Sequence, residues 1–508
     1  MLKRLKIYNT STSLVLSVSV LLLFVLCIYF FTAETYAEIE ETSLWVRKSF
    51  GRFYLYLGLG CVLGCVAIAC SKWGSYRLGS SQDRPSYSRM AWIAMLYSAG
   101  MGAGILLRAV QEPVYMKLNP PIKNGASADV VALEFTFYQW GFTAWAFYAL
   151  FAICVGYVMF KKGQPALTST AFNTFLKKKS HQAIIDALAV LTTVFGLSAA
   201  IGLGTTQING GLNFLTGMNS SLWVTIGITL LISIGAFISV YKGIDKGIKV
   251  ISTVNIYITL GLLLFVLLQS NTANIIQVFV TALYYYFIDF IPMSLAMGNF
   301  DPGEAFLTDW TYYYWAFWLA WAPFTGIFIA RISKGRTIRE LIIGVLLIPS
   351  LGTFIWFSTF GSSVFDLMNT MPTYDGEFSN VFSSIFVFLS NYPLSGFINI
   401  ATMLLLASFL ITSLDSAIFV LSMFTDRGNK DPKKSHRYVW SIALTALTIG
   451  LLLLGDLRQD IDVLTAVQKL LIITSLPFAL LMILMIFLFL RRMLRSKDES
   501  RTPDAPAL

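Results

Sequence analysis

Apolar runs of about 20 residues recur along the whole chain, and each is long enough to cross ~30 Å of hydrocarbon as a helix. About twelve are read as membrane spans: 13–33, 53–71, 90–110, 136–160, 184–206, 221–241, 249–268, 310–332, 338–361, 394–424, 436–455 and 468–491. A less regular apolar stretch near 273–296 runs through Ile291-Pro292 toward Gly298 and is expected to lie along the outer interface without crossing. The first run follows Lys3, Arg4 and Lys6, as a secretory leader would. It is too long for a leader and no small-residue cleavage site follows, so it counts as the first span.

Polar positions between the runs set the orientation. One alternating set of segments is basic: Lys72, Arg77, Arg84 and Arg89; Lys161, Lys162 and Lys177 to Lys179; Lys242, Lys246 and Lys249; Lys334, Arg336 and Arg339; Arg427 to Arg437; and Arg491 to Lys497. The opposite loops are sparse or acidic, with Glu34, Glu38, Glu40 and Glu41, then Asp301, Glu304 and Asp309, then Asp366, Asp375 and Glu377. Because Lys and Arg in short loops stay on the cytoplasmic side, the reading is a multi-pass protein of the inner (plasma) membrane with both termini in the cytoplasm.

Composition agrees: 56% hydrophobic and 13% charged residues, with a mean hydropathy of +0.69, would leave a soluble chain with large exposed apolar surface. The net charge of +10 reports topology and contact with anionic membrane lipids, and without a soluble basic domain it does not point to nucleic acid. Cys27, Cys61, Cys65, Cys70 and Cys154 fall in the spans and read as packing groups. His181 and His436 lie in basic loops, away from any intramembrane proton relay or Ser-His-Asp set. There is neither a Walker A sequence nor a dinucleotide fingerprint, so ATP-driven transport within this chain and cofactor chemistry are disfavoured.

Three intramembrane constellations carry the candidate chemistry. Gly100, Gly102 and Gly104 alternate around Met101 in the third span, and each glycine costs a helix about 1 kcal/mol relative to Ala. An unwound segment there would line a cavity or meet an ion; close helix packing through small residues is the alternative. Trp140, Trp145 and Tyr148 share an arc of about 140° on the fourth span, and Trp315, Trp318 and Trp321 an arc of about 120° on the eighth. An interfacial aromatic belt explains one such face, but two point to a π-lined cage for a cation with no proton to donate. Thr412-Ser413-Leu414-Asp415-Ser416 in the tenth span offers oxygens suited to a small hard cation such as Na+, against the alternative of hydroxyls bonded back to the preceding turn.

Asp309-Trp310-Thr311-x-x-Tyr314-Trp315-Ala316-x-Trp318, with Pro323-Phe324-x-Gly326 and Ala330 to Glu340, resembles the signature of the betaine/choline/carnitine transporters. The likeness extends over nearly the whole chain, through Gly100 to Gly104, Glu112-Pro113, Thr193 to Gly196 with Gly202-Leu203-Gly204, and Thr412-Ser413 with Asp415-Ser416. It implies an all-α membrane protein with the leucine-transporter inverted repeat of five plus five spans behind two extra N-terminal ones, with the third and eighth spans as broken helices. The implied organisation is a 1–12 cytoplasmic N-terminus, 13–89 extra spans, a 90–270 first repeat, a 271–309 interfacial helix and loop, a 310–491 second repeat and a 492–508 tail. A homotrimer is also implied.

By the same resemblance, the trimethylammonium box falls on Trp140, Trp145, Tyr148 and Trp318, with Trp321 on the inward path and Phe317 and the Gly100–Gly104 backbone beside it. A sodium site falls on the carbonyls of Ser98, Met101 and Phe409 and the hydroxyls of Thr412 and Ser413. A second sodium site would draw on Thr193 and Phe324, although Leu197 stands where a hydroxyl is expected. Phe317 stands where the family usually has Trp, and Arg108 where it usually has an aromatic or other neutral residue. Arg108 is read either as an intrahelical partner of Glu112, four positions on, or as a cation facing the substrate path. The expected activity is sodium symport of glycine betaine, choline or carnitine by alternating access. Sodium-independent exchange is the alternative, and a membrane-embedded sensor or enzyme a remote one. The short termini carry the expectation of little activation by osmotic upshift.

Overall fold

The computed structural model describes residues 11–80, 82–100, 102–242, 245–457 and 462–499. Among these there is no β-strand, only an isolated bridge between Arg77 and Thr337. In chain order the helices are α1 Thr12–Phe30, α2 Thr32–Cys70, α3 Arg89–Gly100, α4 Ala103–Arg108, α5 Gln111–Leu118, α6 Ala128–Trp140, α7 Phe142–Gly156, α8 Lys179–Thr216 and α9 Leu222–Lys242. They continue with α10 Asp245–Gln269, α11 Thr272–Leu295, α12 Glu304–Phe306, α13 Tyr313–Ile332, α14 Ile338–Thr370, α15 Ser384–Leu389, α16 Ser395–Thr425, α17 Lys434–Gly455 and α18 Val463–Glu499.

Among the described residues, twelve helices are long and apolar enough to cross a bilayer, in agreement with the all-α membrane reading. That set includes Thr272–Leu295 and omits the third span, which is divided into helices of 12, 6 and 8 residues. The alternation of charge read from the sequence requires α11 to lie along the interface, whereas its length and composition would also let it cross. Asn124 ties α11 down: its Nδ2 donates to Glu134 on α6 at 2.8 Å and to Asp289 on α11 at 2.9 Å.

Several boundaries differ from the sequence reading for identifiable reasons. The segment with Glu34, Glu38, Glu40 and Glu41 is not a loop but part of the 39-residue α2, because Ala and Glu are strong helix formers. The fourth span begins at Ala128, earlier than expected, and breaks at Gly141. The eighth span, expected to be broken, is a continuous helix from Glu304 to Ile332, with a wider turn over Leu307–Tyr312 and Pro323 inside it. It lacks the alternate glycines of the third span, and one proline removes only one donor from the ladder.

The centre of the molecule is α7, buried from Thr143 to Gly156, packed against α13, which also meets α8 and α18. α16 lies against α8, α9 and α10. The faces of α9, α10 and α11 that carry Leu231, Leu264 and Val280 are exposed, as lipid-facing surface requires. At the basic end, Thr337 starts α14 with a capping box: its Oγ1 accepts from Glu340 N at 3.1 Å and the Glu340 carboxylate accepts from Thr337 N at 3.1 Å.

Candidate functional site

The break at Gly141 builds one wall. A Cβ there would lie 2.5 Å from the Phe137 carbonyl and 2.7 Å from both Phe354 Cζ and Tyr286 Oη, so only glycine lets these groups close in. The interruption also frees backbone groups for side chains: Phe142 N–H donates to Tyr286 Oη at 3.0 Å, and the Gln139 carbonyl accepts from Trp318 Nε1 at 2.9 Å. The lost helical bonds thus become the bonds that join the fourth span to α11 and anchor Trp318. Gly141→Ala is expected to destabilise the purified protein by about 1–3 kcal/mol through overpacking, read as a lower thermal unfolding midpoint.

The opposite wall is the interrupted third span. Gly102 is extended (φ −148°, ψ −173°) before α4, and the Ile105 carbonyl in that short helix accepts from Trp356 Nε1 at 3.0 Å. A Cβ on Gly104 would lie 3.3 Å from Trp140 Cη2, so the helix backbone comes directly against the indole.

Between these walls lies a cavity of about 920 Å³. The sequence-predicted Trp140, Trp145, Tyr148, Phe317, Trp318, Trp321, Phe324, Gly102 and Gly104 all line it, as does Arg108. Trp140 and Trp318 meet edge to face at 5.1 Å between centroids, Trp145 and Tyr148 at 5.4 Å, and Tyr148 and Trp318 at 6.5 Å. Phe317 and Trp321 follow at 6.0 Å, then Trp321 and Phe324 at 5.8 Å. The cavity lining also includes Arg331, together with Lys430 and Asp431 of the basic segment between α16 and α17, and Arg437 in the first turn of α17.

Of the expected sodium ligands, Phe409, Thr412 and Ser413 line this cavity. Thr412 Oγ1 donates to the carbonyls of Ser408 at 2.9 Å and Phe409 at 3.1 Å, so the back-bonding alternative is present, while its oxygen lone pairs remain for a cation. Met101 lies outside the described residues, and Ser98 and Gly100 are described only as helix. Of the second set, Phe324 lines the cavity together with Leu197, while Thr193 is buried and its Oγ1 donates to Ala189 O at 2.9 Å.

The expected intrahelical Arg108–Glu112 pair is not formed. α4 stops at Arg108 and α5 begins at Gln111, so the two side chains do not have the i, i+4 geometry of one helix. Pro113 accounts for the interruption, since its ring clashes with the carbonyl of residue 109. Glu112, fully buried, accepts from Trp140 Nε1 at 3.2 Å and from the Tyr314 hydroxyl. Arg108 Nη1 donates to Gln111 Oε1 at 2.8 Å, and its guanidinium lies 5.0 Å from the Trp310 ring centroid. Sequence reasoning assigned no site role to Gly141, Gln139 and Phe357, the last 5.0 Å from Trp140, and Tyr314 entered only as part of the signature. The signals were a glycine inside Gln139-Trp140-Gly141-Phe142 and a proline after Glu112.

Comparison with known proteins bears on the same residues. A profile of the betaine/carnitine/choline family transporters matches residues 13–498. The chain is 36% identical over 472 residues to the glycine betaine transporter OpuD of Bacillus subtilis, covering 92% of this chain and 91% of that one. It is 34% identical over 472 residues to an ectoine/hydroxyectoine transporter of Virgibacillus pantothenticus, covering 92% of each. It is also 34% identical over 474 residues to the high-affinity choline transport protein of Escherichia coli K12, covering 91% of this chain and 69% of that one. These relatives are transporters and not enzymes, and with the profile spanning nearly every residue, the chain belongs to the betaine/carnitine/choline transporter family.

Proposed function

We propose that this protein is a secondary transporter of a small quaternary ammonium compound, carried by alternating access through the aromatic cavity and coupled to sodium. The observation that carries the reading is the convergence of Trp140, Trp145, Tyr148 and Trp318 on one cavity beside the interrupted third span. Rings that present π-faces in a water-poor site attract a trimethylammonium group, which can neither donate a hydrogen bond nor shed its charge. The printed names of the relatives, glycine betaine and choline transporters among them, fall in the same chemical class. With the basic segments on the cytoplasmic side, a cavity lined by the exposed Lys430 and Asp431 supports an inward-facing arrangement. The homotrimer and its lipid contacts belong to the same proposal, with the exposed apolar faces of α9 to α11 available to both.

Sodium coupling is supported by Phe409, Thr412 and Ser413 lining the cavity. Labelled betaine, choline and carnitine should enter proteoliposomes faster with an inward sodium gradient. Thr412→Ala/Ser413→Ala should abolish the stimulation, because two of about five oxygen ligands are lost where no spare water replaces them. Uptake by the unaltered protein that ignores sodium would leave exchange as the mechanism. That second reading is favoured by Arg108, a fixed cation in the cavity wall.

A further inference from the structure

Arg108 lines the cavity but is only 4% exposed, and it lies among the buried rings of Trp310, Tyr313 and Tyr314. Its closest contacts are neutral, the Gln111 amide oxygen at 2.8 Å, the Trp310 ring at 5.0 Å and the Tyr313 side chain, while the Asp462 carboxylate acts on it from a distance. Among the described residues, no carboxylate oxygen lies within 4.0 Å of the guanidinium. Glu112 is turned to Trp140 and Tyr314, so it acts on Arg108 only at longer range. A guanidinium cannot discharge itself by losing a proton, and a buried one whose nearest contacts are neutral gains further from an anion in direct contact. Such an anion can reach the side chain through the cavity that Arg108 lines.

We propose that Arg108 reads the carboxylate of the substrate, so that the site selects zwitterions bearing both trimethylammonium and carboxylate groups over plain cations such as choline. This rests on the quaternary ammonium reading above and narrows it. The register supports it: Arg108 is one turn after Gly104 in α4, and Gly104 lies against the Trp140 indole, so guanidinium and cage share a helix face. Both signs of charge are present: the Glu112 carboxylate accepts from the indole of Trp140, the cage ring, and Arg108 lines the same cavity as that ring. The planar guanidinium fork fits a carboxylate bidentately. Choline, with a hydroxyl in that place and a net positive charge, receives repulsion without a compensating pair, which separates the two classes from both directions. Two other donors compete for the role. Trp321 Nε1 and Asn255 Nδ2 have no acceptor among the described residues, and both residues line the cavity.

Competition against labelled glycine betaine on the purified full chain separates these cases, with betaine, its methyl ester and choline as competitors in the unaltered protein, Arg108→Gln and Arg108→Lys. The unaltered protein should bind the ester and choline at least tenfold more weakly than betaine. In Arg108→Gln, betaine should fall to the level of the ester while choline holds or improves, and Arg108→Lys should keep part of the preference. Ester and betaine binding within twofold of each other in the unaltered protein overturns the proposal without need of any variant. A full ester penalty surviving in Arg108→Gln also overturns it and assigns the carboxylate to Trp321 or Asn255. If no trimethylammonium compound binds the unaltered protein, the transport reading itself fails and this inference falls with it.

Discussion

Trp318→Leu is expected to weaken substrate binding by about 1–2 kcal/mol or more, a loss of roughly fivefold to thirtyfold or greater, while Trp318→Phe loses less. Leucine keeps apolar volume but removes the π-face, and the indole occupies a position that several groups define. It meets Trp140 at 5.1 Å and Tyr148 at 6.5 Å, and its Nε1–H is held by the Gln139 carbonyl at 2.9 Å. Phenylalanine retains a ring without that anchor, so it should bind with intermediate affinity. Titration calorimetry on the three proteins checks the order, and equal affinity in Trp318→Leu would remove this residue from the cage.

The second large effect belongs to Glu112. Replacing it with Leu strips the acceptor from the Trp140 indole and the Tyr314 hydroxyl, leaving two buried donors unsatisfied at about 1–3 kcal/mol each. It also removes a negative charge next to the ring that faces the substrate cation. Glu112→Leu should therefore lower both the thermal midpoint and the affinity for betaine, the latter by tenfold or more. Glu112→Gln, which keeps an acceptor but not the charge, should recover most of the stability and only part of the affinity. Stability and affinity both unchanged in Glu112→Leu would show that the carboxylate neither holds the cage nor attracts its guest.

Much of this was legible in the sequence because the informative residues are out of place in a lipid-facing helix. Trp140, Trp145, Tyr148 and Trp318 stood out against Leu and Val, and all four reach one cavity. Alternate glycines at Gly100, Gly102 and Gly104 predicted the interruption that separates α3 from α4. Helical periodicity misled where the helix does not continue. The Arg108–Glu112 pairing assumed four residues of unbroken α-helix, and the two-residue gap imposed by Pro113 turned the side chains to different partners. Gly141 was hidden for the opposite reason: a single glycine is tolerated within most helices, and its role depends on Tyr286 and Phe354, which are brought in from α11 and α14. Tertiary neighbours of that kind leave no local pattern.

The most direct test of the account is uptake of labelled glycine betaine into proteoliposomes containing the full chain, with the Trp318→Leu protein alongside. The account predicts saturable accumulation by the unaltered protein, competed by other trimethylammonium compounds and strongly reduced in Trp318→Leu. No uptake above protein-free liposomes for betaine, choline or carnitine, under any ion gradient and with folded protein in the membrane, would contradict it.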